Sequence, residues 1–370
     1  MLLFTPGPTP VPQNVRNAMA QETMHHRTPE FEAIFEKTRS HLFKLFKTDE
    51  VVMIASSGTG AMEAAVINLC HNTLLNVNSG KFGERFGKIA KAHGLGNVEI
   101  KNEWDTPVSV EAVVEAVKAN SDIDAIAVQV SESAGGLRHP VEAIAKAVKE
   151  INPEIMIIAD GITAVGVEPI DVTHIDALIA GSQKALMLPP GLAILGLSNA
   201  AIEKTGEGKG YYLNLASEIK KQRQNTTAYT AATTLVIGLL EVLETIEADG
   251  GIENLYAKTA IRAEAVKSAL EAIGLHVYPK SPAKSMTTID DESASEIRKL
   301  LKEKYGVNVA GGQDHLKGKI FRINQMGLIE DYEMAWVVNA VELALDTLGK
   351  RAYDATATKV FNEITFGLGK

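Results

Sequence analysis

Ala177-Leu178-Ile179-Ala180-Gly181-Ser182-Gln183-Lys184-Ala185-Leu186-Met187-Leu188-Pro189-Pro190-Gly191-Leu192-Ala193-Ile194-Leu195 sets a lone lysine between two apolar runs. Short apolar runs bounded by Gly and Pro read as fully buried strands. A lysine between them, flanked by small residues and Pro-Pro-Gly, has no free path to solvent. Burial disfavours its ammonium form, which makes Lys184 a usable amine nucleophile and Schiff-base former. The same residues also suit a lysine that snorkels outward at a strand end.

Upstream, Ile155-Met156-Ile157-Ile158-Ala159 is another buried strand, and before it the pattern alternates regularly. A strand at 51–54 precedes a helix near 61–70, a strand near 73–77, a helix near 82–92, a strand near 97–101, a helix near 109–119, a strand near 123–130 and a helix near 140–150. This predicts an α/β fold with a mostly parallel seven-stranded sheet covered by helices on both faces.

Phe31, Ile34, Phe35, Leu42, Leu45 and Phe46 recur with helical spacing ahead of that sheet. Thr5-Pro6-Gly7-Pro8-Thr9-Pro10-Val11-Pro12 is too proline-rich for helix or central strand and is predicted to run as an extended arm over a surface. Downstream, a helix near 232–248 ends at Asp249-Gly250-Gly251. Another helix near 254–273 then leads into short strands near 275–278, 284–288 and 319–323 and helices near 293–304 and 330–348. That region reads as a smaller α+β domain. At 370 residues the chain exceeds the roughly 250–300 that one core sustains. The expected division is an arm over 1–17, a large domain over 18–250 and a small C-terminal domain over 251–370.

A formal charge of −9, with no basic cluster interleaved with aromatics, argues against a nucleic-acid surface. One cysteine, Cys70, rules out an internal disulfide and CxxC metal sites, and the histidines show no HExxH-type spacing, so no metal is expected. Neither a signal peptide nor a run of about 18 apolar residues is present in this sequence. A cytoplasmic location without membrane association is expected.

Three further segments carry chemistry. Ser56-Ser57-Gly58-Thr59-Gly60 follows a buried strand and opens a helix, where free backbone N–H groups and the helix dipole favour an anion. It lacks the lysine of a P-loop and the third glycine of a dinucleotide fingerprint, so a phosphate monoester fits best, although a plain strand–helix turn has the same form. Asp160 ends a strand where the sheet's ligand crevice lies, suiting either a partner for a pyridinium or a turn former. Arg322, within Lys319-Ile320-Phe321-Arg322-Ile323-Asn324, suits a substrate carboxylate or a surface charge on an edge strand.

Together, in this order, these segments resemble the class V branch of the fold-type-I pyridoxal-phosphate enzymes. The likeness is to the serine–pyruvate and alanine–glyoxylate aminotransferases and their archaeal aspartate-aminotransferase relatives, over nearly the whole chain. The resemblance implies that Lys184 bears pyridoxal 5'-phosphate and that Asp160 pairs with its ring nitrogen. It assigns the phosphate to Ser57, Gly58, Thr59 and Gln183, the ring faces to Phe82 and Ile162, and the neighbourhood of the phenolic oxygen to Ser133. It further implies a homodimer with shared active sites, in which Thr230, or less directly Thr227, reaches the partner's phosphate. Arg322 and Gly7 would meet the substrate, while His26 and Arg27 lie in a family-like segment of undefined role.

Three departures bear on substrate: Ser133-Ala134-Gly135-Gly136 lacks the usual Ser/Thr pair, Ala228 and Ala231 stand where relatives often have proline, and Phe82 replaces a tryptophan. The expected reaction moves an amino group from alanine or serine to a 2-oxo acid such as glyoxylate or pyruvate. Alternatives are an aspartate–2-oxoglutarate aminotransferase, for which Arg27 would be the second cation, or a non-catalytic pyridoxal-phosphate-binding homologue. A cysteine desulfurase would need Cys70 on a mobile loop rather than on a buried helix.

Overall fold

The computed structural model describes residues 1–368. Its larger sheet has seven strands in the order Glu50–Ala55, Leu192–Leu197, Ala177–Gly181, Met156–Asp160, Ile123–Gln129, Thr73–Asn78 and Gly96–Lys101. Leu192–Leu197 runs antiparallel to both of its neighbours, and the other pairings are parallel. The reason is chain length. Only the lysine loop separates Gly181 from Leu192, and a parallel return needs a crossover of about a dozen residues or more. The six remaining strands point the same way, so their carboxyl ends share one edge.

Both faces of this sheet are covered, which explains why its strands are continuous apolar runs. Met53, Val77, Val128, Ile157 and Ile194 pack with Phe31, Phe35, Leu42 and Val242 on one face. Ile54, Leu74, Ala127, Ile158 and Ala193 pack with Met62, Val66, Leu69 and Phe86 on the other. Helix starts are chemically specified. Thr28 accepts the N–H of Phe31 with Pro29 next in the chain, which is how the helix Pro29–Phe46 begins.

The second sheet has the order Leu2–Phe4, Val307–Gly311, Ile320–Asn324, Met286–Asp290 and His276–Val277. Here the sequence-based expectation fails for the first residues. Leu2–Phe4 is a strand parallel to Val307–Val309, and Phe4 is buried in the second core beside residues such as Val309, Phe321 and Val338. The following residues run along the end of the strand Ala177–Gly181, with Pro6 and Thr9 buried and Pro8 and Pro10 exposed, so the expected arm is only partly on the surface. Prolines exclude helix, but apolar Leu2-Leu3-Phe4 can still pair as an edge strand.

Helices Gln13–Met19, Asn199–Thr205, Leu215–Gln222 and Thr356–Phe366 and strand Val307–Gly311 escaped the periodicity reading. Thr356–Phe366 buries only Ala357 and Phe361, too few apolar positions to mark a stripe. Gly250 and Gly251 both adopt positive φ, 98° and 82°, and break the chain before the helix Gly251–Ala272. Among the described residues no helix is long and apolar enough to cross a membrane.

Phe4→Ala removes a buried ring from the second core and is expected to destabilise the protein by about 3–5 kcal/mol. Urea unfolding checks this; a loss below about 1 kcal/mol would mean that Leu2–Phe4 is dispensable to that sheet.

Candidate active site

The shared edge of the larger sheet collects five loops. Glu50–Ala55 leads to Ser57, Thr73–Asn78 to Phe82, Ile123–Gln129 to Ser133, Met156–Asp160 to Ile162, and Ala177–Gly181 to Lys184. Ligands of open α/β sheets bind at such carboxyl ends because the loops there converge while the strands hold them rigidly.

Lys184 extends its amine to the carbonyl of Pro6, and Gly7 packs against its side chain. The backbone around it is pinned by Thr9, whose N–H donates to Gln183 O at 3.0 Å and whose hydroxyl donates to Lys184 O at 2.7 Å. Burial lowers the Lys184 pKa to about 8. The carboxylate of Asp160 opposes that shift and the guanidinium of Arg322 adds to it.

Asp160 is 4% exposed, and its Oδ1 accepts the N–H of Ile162 at 3.0 Å. Burial raises its carboxyl to about 6, against the pull of that N–H, of Lys184 and of Arg85. A carboxylate so placed is costly to ionise until a cation faces it.

Ile162 also lies against the glycine-rich turn and the strand end before Lys184. A Cβ on Gly58 would lie 2.6 Å from its Cδ1, and one on Gly181 would lie 3.6 Å from its Cγ2 and 3.2 Å from Gln183 Oε1. Helix Gly58–Leu69 starts at Ser57 without a side-chain cap; the N–H of Gly60 turns back to Ser57 O at 2.8 Å, which leaves those of Gly58 and Thr59 unspent. The Oε1 of Gln183 is buried without a partner. The turn offers free backbone donors, whereas the unmet atom of Gln183 is an acceptor.

Phe82 is placed by a group that the sequence reading did not single out. Glu132 is fully buried, and its Oε2 accepts the N–H groups of Phe82 and Gly83, each at 3.0 Å, while its Oε1 accepts that of Ala134 at 2.9 Å. It thereby caps the helix Lys81–Ala92 from outside. Burial still raises its carboxyl to about 7. Gly80 is required here because a Cβ would run into the Glu132 side chain.

Arg322 lies on an inner strand of the second sheet, between Met286–Asp290 and Val307–Gly311, so the edge-strand alternative does not hold. Its guanidinium donates to the carbonyls of Ser133 and, at 2.6 Å, Gly311, whereas its Nε is buried without a partner. Burial lowers its pKa to about 10. The bond to Ser133 joins the second sheet to a loop of the first, while that to Gly311 stays within the second sheet.

Over residues 1–328 the sequence matches the Aminotransferase class-V family. The chain belongs to the class V aminotransferases. A Helicobacter pylori protein known as an uncharacterized aminotransferase is 52% identical over 369 residues, covering 100% of both chains. The serine–glyoxylate aminotransferase of Methylorubrum extorquens is 30% identical, with 93% of this chain and 90% of that one aligned. The subgroup IV aspartate aminotransferase of Thermus thermophilus superposes with a TM-score of 0.88 at 32% identity, covering 94% of this chain and 99% of that one. The expected fold-type-I architecture is borne out by that superposition.

Within this class V aminotransferase the remaining sequence candidates fall outside the cluster around Lys184. Thr230 is exposed, whereas Thr227 is buried and spends its hydroxyl on Tyr229 O at 2.5 Å. Arg27 is exposed, between helices Gln13–Met19 and Pro29–Phe46, and its backbone N–H donates to the ring of His25; the His26 ring lies tilted against that of His25, with centroids 4.8 Å apart. Cys70 is buried, and burial together with nearby Asp124 pushes its thiol up to about 12, which removes it as a nucleophile. Sequence reading missed Pro6, Thr9 and Glu132. A backbone carbonyl carries no residue signal, and Glu132 and Thr9 act on backbone atoms that only folding brings near.

Two outcomes test this geometry. Only the neutral amine attacks, so trapping of Lys184 by pyridoxal phosphate and borohydride is expected to rise with pH and level off above about 8. Peptide mapping across the pH range checks this; a midpoint at the ordinary lysine value would mean that burial does not tune the amine. In Gly7→Ala a Cβ would sit 2.5 Å from Lys184 Nζ at a φ of +107°. Because small misplacements of reacting groups are costly, kcat is expected to fall about a hundredfold in steady-state transamination.

Proposed function

We propose that this class V aminotransferase uses pyridoxal 5'-phosphate, held by Lys184, to move the amino group of alanine or serine to a 2-oxo acid such as glyoxylate or pyruvate. The observation that carries the reading is the position of the Lys184 amine, within electrostatic reach of both the Asp160 carboxylate and the Arg322 guanidinium. One partner suits a pyridinium, the other a substrate carboxylate.

The residues present fit the cofactor. Ser57, Gly58, Thr59 and Gln183 would hold its phosphate, Phe82 and Ile162 its ring faces, Ser133 the region of its phenolic oxygen, and Asp160 its ring nitrogen. When bound, it supplies an electron sink for the carbanion formed at the amino acid's Cα. Arg322, with its unpartnered Nε, binds the α-carboxylate and fixes which Cα bond faces Lys184. The neutral amine of Lys184, once freed from the cofactor, would take the Cα proton and deliver it to the cofactor's C4′ on the other side of the transferred nitrogen. Gly7 and Pro6 close the space around that amine and limit water. Ping-pong kinetics follow from two half-reactions sharing one site.

The active form in this reading is a cytoplasmic homodimer. Support comes from Tyr211, 82% exposed, which packs on Tyr229 at 5.4 Å, next to Tyr212, whose hydroxyl donates to Ala55 O at 2.9 Å ahead of the Ser57–Gly60 turn. Such an aromatic patch suits burial against a second copy whose phosphate Thr230 would reach.

A second reading, aspartate as donor, draws on the Thermus thermophilus relative and on Arg298. The guanidinium of Arg298 lies against Gly311, whose carbonyl holds Arg322. Arg298 would then be a candidate for the second cation, alongside the Arg27 that the sequence suggests.

The test is the visible absorption of protein reconstituted with pyridoxal phosphate. A band absent in Lys184→Ala, bleached by alanine or serine and restored by glyoxylate or pyruvate, is the expected result. Bleaching by aspartate alone would favour the second reading, and the lack of any band in the unaltered protein would overturn the proposal.

A further inference from the structure

Arg85 is a cation with no assigned task at the edge of this site. It lies on helix Lys81–Ala92, one turn after Phe82, and is half-buried. Among the described residues it forms no ion pair; its Nη1 instead donates to Thr59 Oγ1 at 2.9 Å, and its guanidinium carbon lies 4.8 Å from the centroid of the Phe82 ring. It therefore joins two helix starts that are distant in sequence, Gly58–Leu69 and Lys81–Ala92.

The donor chemistry is directional. A guanidinium has N–H donors and no acceptor, whereas a hydroxyl has one donor and two acceptor lone pairs. In the Arg85–Thr59 bond the threonine must accept, so its own proton is left free for another group. Thr59 stands in the first turn of a helix whose N–H groups have no side-chain cap. A free O–H there adds a donor to those N–H groups, and the nearby positive charge reinforces the helix dipole toward an anion. The same charge favours the ionised form of Asp160 at the other end of the crevice. The contact over Phe82 limits the movement of a ring that Glu132 already anchors through its backbone.

We propose that Arg85 is a positioning residue for the phosphate end of the cofactor site, acting through the hydroxyl of Thr59 and the ring of Phe82. The proposal rests on the reading of that site as a pyridoxal-phosphate site. It adds that the anion's affinity depends on a residue that orients a donor from outside the glycine-rich turn.

The experiment compares equilibrium binding of pyridoxal phosphate and of pyridoxal, followed by fluorescence, in the unaltered protein, Arg85→Met, Arg85→Lys, Thr59→Val and the double variant Thr59→Val/Arg85→Met. Methionine keeps an apolar chain against Phe82 while removing the donor and the charge. Lysine keeps the charge alone. Arg85→Met is expected to weaken pyridoxal phosphate at least tenfold and to change pyridoxal less than threefold. Arg85→Lys should recover part of that loss, and the double variant should be no weaker than the weaker single variant, because both remove one linked interaction.

Unchanged binding in Arg85→Met would overturn the proposal, as would equal loss of both ligands, which would mark a purely structural role. Additive losses in the double variant would also overturn it, since Arg85 would then act on the phosphate independently of Thr59. Failure of the unaltered protein to bind either ligand would instead overturn the functional reading on which this proposal stands.

Discussion

The Lys184 amine occupies a space shared by the carbonyl of Pro6, the carboxylate of Asp160 and the guanidinium of Arg322, and there the cost of burying an ammonium exceeds what one nearby carboxylate returns. Most of the site serves that balance. The loop carrying the lysine is short, which reverses the next strand and keeps the loop at the rigid edge where the parallel strands end. Thr9 then ties the lysine's own carbonyl down, so the side chain pivots from a fixed base.

The two sheets cooperate through a few long-range contacts at this point. Leu2–Phe4 belongs to the second sheet, yet the residues that follow cross to Gln183 and Lys184. Arg322 comes from the same second sheet and donates to Ser133 of a loop from the first. Arg322 and the segment that brings Pro6 to Lys184 are thus both attached to the second sheet, and any shift of one sheet relative to the other changes both together.

Carboxylates divide into two roles for an electrostatic reason. Glu132 accepts three backbone N–H groups and serves to place a helix start, whereas Asp160 accepts one and keeps an oxygen for a cation. Both are held above the ordinary carboxylate range by burial. Only Asp160 has its second oxygen unspent, so only it can gain strongly from a cationic partner entering the crevice.

Much of this was legible in the chain itself. The apolar runs at 51–54, 73–77, 123–130, 155–159 and 177–180 determine buried parallel strands, and the lysine loop, the Ser57-Gly58-Thr59 turn and Asp160 each sit directly after one of them, so their place at one edge follows from local order. Arg322 was ambiguous because an apolar strand with one arginine has the same pattern at an edge or in the middle of a sheet. Only the pairing on both sides decided it. Tertiary structure alone brought Pro6 to Lys184, Glu132 to the backbone of Phe82 and Arg85 to Thr59. Those contacts join residues far apart in sequence, some through backbone atoms that every residue shares, and no spacing rule encodes which distant segments two packed sheets will bring within a hydrogen bond.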